Sequence, residues 1–237
     1  MRIFEPAGAA DLAEAYAYPG DGPWLRANMV ASADGAATHS GLTEGLGGPA
    51  DRRLLSVLRA LSDVVVVGAG TVRAETYGPV RPRDWWGDLR EGRTPAPPLA
   101  VISRSLDFDL DSPMFTEALT PTIVITCPSA PVERLRACEK RAEVITLDGD
   151  QVDAGAALDA LAGRGLVRQL TEGGPHLLAQ IAAAGRLDEL CLTMSPRLTA
   201  GNAARVVNGP ALEPPTSLRL GHVLEEDDFV FLRYVRR

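Results

Sequence analysis

Four consecutive valines, Val64 to Val67, run straight into Gly68-Ala69-Gly70-Thr71, and this junction restricts the fold more than any other segment. An unbroken β-branched run suits a strand covered on both faces, as inside the parallel sheet of an α/β protein. Glycines at its end permit a tight turn and a close approach of backbone to a ligand. The arrangement recurs: Val167 to Thr171 reads as a strand and meets Glu172-Gly173-Gly174-Pro175. A helix then runs to Ala184 and stops at Gly185, a favoured C-terminal stop. Pro175 suits the first helical position, where its missing N–H would have had no partner.

Around these junctions strands and helices alternate. Trp24 to Ala33 reads as a buried strand. Pro49 to Leu61 reads as a helix with Leu54, Leu55, Val57, Leu58 and Leu61 on one stripe and Arg52, Ser56 and Arg59 opposite. Tyr77 to Pro98, rich in Pro, Gly, Arg and Trp, predicts a long loop of the kind that is more often functional than idle. Leu99 to Ser103, Thr122 to Thr126 and Val144 to Leu147 are strand candidates, and Pro131 to Lys140 and Ala154 to Gly163 are helical. Leu190, Leu192 and Met194 alternate as in a strand. Leu218 to Val235 predicts a hairpin around the acidic turn Glu225 to Asp228. The order implies an α/β fold, a mainly parallel sheet flanked by helices with an antiparallel C-terminal edge. One domain over residues 1–237 is expected, with Met1 to Pro23 as a leader.

Free amides at a helix start favour an anion. Each glycine turn therefore reads either as a phosphate cradle or as a plain strand-to-helix connection. Together, Gly68, Gly70 and Thr71 with Gly173, Gly174 and Pro175 could hold the two phosphates of a dinucleotide beyond the carboxyl ends of the strands. Neither turn is a full G-x-G-x-x-G or Walker A loop, so an ordinary Rossmann or kinase site is poorly supported.

Charge and composition narrow the partners. The net charge of -7 argues against a general binder of nucleic acid or anionic membrane. No apolar run approaches the roughly 20 residues that span a bilayer. Glu5 and Asp11 break the pattern of a secretory signal, so a cytoplasmic location is expected. Cys127, Cys138 and Cys191 are widely spaced and suggest neither a zinc site nor a disulfide framework. His39, His176 and His222 complete no HEXXH and no zinc-deaminase signature, and no metal is expected. Lys140 is the only lysine, which leaves arginine to hold any phosphate through its planar fork.

Asn28-Met29-Val30-Ala31-Ser32-Ala33-Asp34-Gly35 resembles the strand-and-turn signature near the start of the pyrimidine reductase domain of riboflavin biosynthesis. The resemblance continues through Leu58-Arg59-Ala60, Val67 to Glu75, Thr171 to Leu177, and Leu187 to Leu190 followed by Pro196. These blocks stand in the family's order from Trp24 to about Gly201, and the chain is similar above all to free-standing actinobacterial members. The family is the C-terminal reductase half of the bifunctional deaminase-reductase (RibD) and has the dihydrofolate reductase fold. The resemblance implies NADPH-dependent reduction of 5-amino-6-ribosylaminouracil 5′-phosphate to the ribityl product, in a homodimer with no deaminase domain. Two alternatives stay open: an NADPH-dependent dihydrofolate or pteridine reductase, and a non-catalytic NADPH-binding protein.

Carried over position by position, the resemblance places Ala31, Gly45, Thr71 and Glu75 on the cofactor, with the backbone from Gly174 onward. Ser103 and Arg104, just past a strand, are candidates for the 2′-phosphate of NADPH. Asn28, Thr43, Arg59, Pro79, Arg81 and Glu172 would face the substrate, with Arg59 and Arg81 on its phosphate. Glu172 and Asp34 are the candidates for the proton step, water being a third, and Asp34 before a glycine also reads as a turn-shaping residue. Three departures touch the site. Asn28 stands where bifunctional bacterial members tend to carry lysine, Glu75 where aspartate is usual, and Thr76-Tyr77-Gly78 replaces a proline-containing stretch.

Overall fold

The computed structural model describes residues 3–4, 8–75 and 77–237. Thr76 and, in the leader, Met1, Arg2 and Glu5 to Ala7 lie outside the described residues. The chain forms β1 (Ile3–Phe4), α1 (Ala9–Ala15), β2 (Trp24–Ser32), α2 (Pro49–Leu61), β3 (Val64–Gly68), α3 (Ala69–Ala74), β4 (Leu99–Ile102), α4 (Pro113–Thr116) and β5 (Ile123–Thr126). It continues through α5 (Val132–Cys138), β6 (Glu143–Thr146), α6 (Ala154–Ala162), β7 (Arg168–Thr171), α7 (Pro175–Ala183), β8 (Glu189–Ser195), β9 (Leu218–Glu226) and β10 (Phe229–Arg236). All strands join one ten-stranded sheet in the order β1-β9-β10-β8-β2-β7-β3-β4-β5-β6. From β8 to β6 every neighbouring pair is parallel, and β10 runs antiparallel to both β8 and β9. The expected α/β fold with its antiparallel C-terminal hairpin is therefore present.

The valine run shows why the sheet is buried on both faces. Val65 and Val67 pack on one side with α2, Leu99, Val101 and Leu170. Val64 and Val66 pack on the other with Ala100, Ile102, Leu158 of α6 and Leu178 of α7. A period of two inside a continuous apolar run thus serves two cores at once. The β9–β10 turn is made by Asp227 and Asp228, both at positive φ (53° and 66°), where Asp is among the residues that tolerate the left-handed turn.

The leader is more than a lead-in. β1 pairs with β9 and forms one edge of the sheet, while Leu12, Ala13 and Tyr16 are buried in the same core as α2. The last carbonyls of α1 are taken by cations from the sheet. Arg26 Nη2 donates to Tyr16 O at 2.7 Å, and Arg233 Nη1 to Ala15 O at 3.2 Å. Both guanidiniums close on Glu189, at 2.7 Å from Arg26 Nε and 2.9 Å from Arg233 Nε. Arg26 and Glu189 are fully buried, so this cluster is a charged core between α1 and three strands.

The long loop predicted from Tyr77 to Pro98 contains two short 3-10 turns, Asp84–Trp86 and Asp88–Arg90. It seals the C-terminal end of α2. Arg90 Nη1 donates to Ala60 O and Ser62 O at 3.0 and 2.6 Å, and Arg93 Nη1 to Leu61 O at 2.8 Å. Those carbonyls have no partner within the helix, and cations are favourable at that end of its dipole.

His222, stacked edge-on against Tyr16 with ring centroids 4.7 Å apart, makes the leader junction sensitive to acid. Burial, with the charge of Arg233 adding to it, lowers its pKa from 6.5 to about 4. Between those values the unfolded chain binds a proton that the folded chain refuses, so stability falls as pH drops through that window. The thermal midpoint is expected to decline from pH 7 to 4.5, and His222→Gln to flatten that part of the profile. An unaltered profile in the variant would assign the decline to another group.

Candidate functional site

β7 pairs with β2 only along Trp24 to Ala27, so the later part of β2 runs on past the end of β7. The space left there is a cleft of about 790 Å³ at the carboxyl ends of β3, β4 and β7, within the usual range for small-molecule sites. Its walls are β2 at Asn28, one face of α2, the start of α3, the Tyr77 to Pro79 segment and the start of α7.

The two glycine turns meet at this cleft and are tied together. The N–H of Gly174 donates to Thr71 Oγ1 at 2.7 Å, and that of Gly173 to Thr171 Oγ1 at 3.2 Å. This corrects the expected cradle: both glycine amides are already taken by hydroxyls, which leaves the anion-favouring character to the rest of the α7 start. What the glycines supply is space. A Cβ on Gly173 would come within 2.7 Å of Leu177 Cδ2, and one on Gly174 within 2.9 Å of Thr71 Oγ1. Gly70 differs, since a Cβ there would meet nothing within 4 Å and would project into open space.

Facing the turns is a three-membered polar group. Arg59 Nε donates to Glu172 Oε1 at 2.7 Å and Nη2 to Oε2 at 2.5 Å, while Nη2 also reaches the Tyr77 hydroxyl at 3.1 Å. The Tyr77 O–H donates to Glu172 Oε2. The Glu172 side chain is only 8% exposed and that of Arg59 24%, so the pair is largely sheltered from water. Burial pushes the Tyr77 phenol well above its ordinary pKa, and the neighbouring Glu172 charge pushes it further. It keeps its proton throughout the physiological range. Arg59, which as sequence sits on the polar side of an amphipathic helix, is turned inward by this partnership.

Of the residues expected at the site, Asn28, Thr43, Arg59, Gly68, Gly70, Thr71, Glu75, Pro79, Glu172, Gly173, Gly174 and Pro175 line the cleft. Thr43 and Glu75 are bonded to each other, the Thr43 N–H and O–H reaching Glu75 Oε1 at 3.0 and 3.1 Å. Six others do not line it. Ala31 is buried within β2, and Gly45 O accepts from Arg197 Nη1 at 2.6 Å. Ser103 is buried with its Oγ accepting the Leu106 N–H at 2.9 Å, and Arg104 beside it is exposed. Arg81 is exposed and pairs with Glu117, an ion pair that draws it away from the phosphate role expected of it.

Asp34 is also outside the cleft. Its carboxylate accepts from the Ser32 hydroxyl and from the N–H groups of Thr199 and Ala200. Those hydrogen bonds, Ser32 first, hold its pKa down to about 2. A carboxyl ionised so completely cannot deliver a proton near neutrality, so the structure supports its turn-shaping alternative. Two cleft residues were given no role by the sequence: Tyr77, noted only within a stretch that departs from the family pattern, and Asp51, an acidic residue in the first turn of α2.

Comparison with known proteins adds to this geometry. Residues 23–228 match the family model described as the RibD C-terminal domain. The chain is 30% identical over 197 residues to a 2,5-diamino-6-ribosylamino-4(3H)-pyrimidinone 5′-phosphate reductase of Methanothermobacter thermautotrophicus, covering 81% of this chain and 86% of that protein. It is 28% identical over 191 residues to a reductase of the same name from Archaeoglobus fulgidus, covering 78% of this chain and 85% of that protein. Among solved structures, a pyrimidine reductase-like protein of Corynebacterium diphtheriae superposes with a TM-score of 0.81 at 31% identity, over 91% of this chain and 92% of that one.

Proposed function

The chain belongs to the RibD C-terminal domain family, and from that membership we propose that its cleft reduces a ribosylaminopyrimidine 5′-phosphate at the expense of NADPH. It is an oxidoreductase of the riboflavin-biosynthesis pyrimidine reductases. The observation that carries the reading is the cleft itself. The joined turns of Thr71 and Gly174 form one wall, and the sheltered Arg59–Glu172–Tyr77 group stands at the same cleft.

The residues present fit a dinucleotide. Gly70 leaves room for close approach, and the start of α7 carries amides favourable to a pyrophosphate. Arg104, exposed just past β4, is the candidate for the 2′-phosphate. When bound, the nicotinamide would supply a hydride to C1′ of the ribosyl group.

The protein's share is placement and proton handling. Asp51, Leu55 and Arg59 lie one helical turn apart on the cleft face of α2, and eight residues of helix span about 12 Å. That length suits an extended substrate with its ring at one end and its phosphate at the other. With Nε and Nη2 held by Glu172 and Tyr77, Arg59 has its Nη1 edge left for the phosphate. Glu172 can accept hydrogen bonds from the ribosyl hydroxyls. When the C1′–O4′ bond breaks, O4′ must take up one proton, and the Tyr77 hydroxyl, protonated and lining the cleft, is the donor this reading assigns to it.

The test is loss of NADPH absorbance with purified protein and a ribosylaminopyrimidine 5′-phosphate. Saturable oxidation with formation of the ribityl product supports the reading; binding of NADPH with no turnover of any ribosylaminopyrimidine ends it. The same proposal takes residues 1–237 as one reductase unit, cytoplasmic and working as a homodimer, which sedimentation equilibrium would check. No helix among the described residues is long and apolar enough to cross a membrane.

A further inference from the structure

Between β2 and α2 the chain lines the cleft through Thr38, Gly41 and Thr43. The tip of this segment is a two-residue turn at Ser40 and Gly41, both at positive φ (52° and 83°), closed by hydrogen bonds in both directions between His39 and Leu42. Its far end closes on itself as well. The N–H groups of Leu46 and Gly47 both reach Thr43 O, at 2.9 and 3.4 Å, and the Leu46 side chain is fully buried. Among the described residues, two contacts tie residues 38–47 to the rest of the protein by hydrogen bonds. Thr43 reaches Glu75, where α3 ends, through both its N–H and its O–H. Gly45 O accepts from Arg197 Nη1 at 2.6 Å. Arg197 is a firm anchor for that contact. Its carbonyl accepts the Ala33 N–H and its N–H donates to Ser195 O, each at 2.8 Å, which pins its backbone where β2 and β8 end. The residues after it hold the root of the same segment: Asp34 accepts from the N–H groups of Thr199 and Ala200, and the Ala37 N–H donates to Ala204 O at 2.8 Å.

We propose that Arg197 is a positioning residue of the reductase, holding the Thr43–Gly47 turn so that Thr43 is presented to the substrate. The inference rests on the reduction proposed above and adds to it a residue that works from outside the cleft. A guanidinium on a carbonyl makes a charge-assisted hydrogen bond, stronger than a neutral one. Because Leu46 and Gly47 close on Thr43 O, a Gly45 carbonyl fixed from outside also fixes Thr43, two residues before it. Glu75, which lines the cleft, holds the turn from within, and Arg197, which does not, holds it from without. When the Thr43 hydroxyl turns to a substrate, half of the Glu75 tie is given up. The Gly45–Arg197 contact then keeps the turn in place. Arg197 is exposed, and substitutions at exposed positions rarely change global stability much. Its loss belongs to this segment alone.

The experiment measures kcat and KM for a ribosylaminopyrimidine 5′-phosphate in Arg197→Met, Arg197→Lys, Thr43→Val and the double variant Arg197→Met with Thr43→Val. Arg197→Met is expected to raise KM about 10-fold, the scale of one hydrogen bond to a charged group. Its kcat should stay within about threefold, since the contact serves ground and transition state alike. Arg197→Lys keeps a cation for the carbonyl and should recover most of the loss. If Arg197 acts through Thr43, the double variant is hardly worse than Thr43→Val alone; losses that multiply mark independent sites and overturn the proposal. Hydrogen exchange gives a readout that needs no turnover. In Arg197→Met the amides of Leu46 and Gly47 should exchange faster, while the unfolding midpoint stays within about 2 °C of wild type. A wild-type KM in Arg197→Met, or a midpoint lowered together with faster exchange across the whole chain, would overturn the assignment. Should the wild type reduce no ribosylaminopyrimidine, the proposed function fails, and unchanged exchange at Leu46 and Gly47 would separately overturn the tie.

Discussion

Glu172→Gln is expected to lower kcat/KM for the ribosylaminopyrimidine phosphate about 100-fold or more, the range seen when a proton donor, here Tyr77, loses its placement. Glutamine keeps the shape of the side chain and an oxygen for Arg59 Nε, which is 2.7 Å from Oε1. It removes the negative charge that fixes the guanidinium and receives the Tyr77 O–H. Freed from its fork, Arg59 can turn wholly toward the substrate phosphate, so binding should suffer less than turnover. Steady-state kinetics separates the cases: a fall in kcat at steady KM marks an interaction made in the transition state, and a rise in KM alone marks uniform binding. Kinetics equal to wild type would remove Glu172 from the reaction.

The second large effect is on stability and lies far from the cleft. Glu189→Ala should destabilise the fold by about 3–5 kcal/mol, because it leaves the fully buried Arg26 charge without its counter-ion. For a chain of this length that is a fall of about 6–20 °C in the unfolding midpoint. Arg26→Met with Glu189→Leu should be milder than Glu189→Ala alone, since apolar replacement of a buried pair is often neutral. Arg233, partly exposed and also bound to Ala15 O, can keep its solvation. A double variant as unstable as the single one would argue that the charges shape the leader junction beyond their mutual neutralisation. Acid should act in the same direction. Burial would raise the Glu189 pKa, but Arg26 and Arg233 overrule it and hold it down to about 2. Its contribution is present above the unfolded value of about 4.3 and is lost as pH falls through that value toward the folded one.

What the sequence made legible follows the range of the forces involved. The valine strand and α2 were readable because their patterns are local: a β-branched run covered on both faces, and an apolar stripe behind Pro49 at the first helical position. α1 was not, because seven residues make a marginal helix alone. It is held by Tyr16 in the core and by Arg26 and Arg233 from strands distant in sequence. At the site, the glycine turns announced themselves by composition, yet their amides turned out to serve Thr71 and Thr171. Asp51 looked like an ordinary first-turn acid, and Tyr77 like one residue of a loop. Only the fold brings Asp51 to the cleft beside Thr193 of β8, and only Glu172, 95 positions away, gives Tyr77 its partner.

The segment that leaves α3 and returns at β4 lines the cleft at its beginning, through Tyr77 and Pro79, and grips the far end of α2 near its finish, through Arg90 and Arg93. Helix α2 carries Asp51 and Arg59. One stretch of covalent chain therefore sets the separation between two walls of the same site, like the fixed arm of a caliper. Among relatives, a residue gained or lost between Tyr77 and Arg90 would alter the gauge of the cleft, whereas length changes elsewhere on the surface would leave it untouched. Substrate size and loop length should accordingly drift together in this lineage.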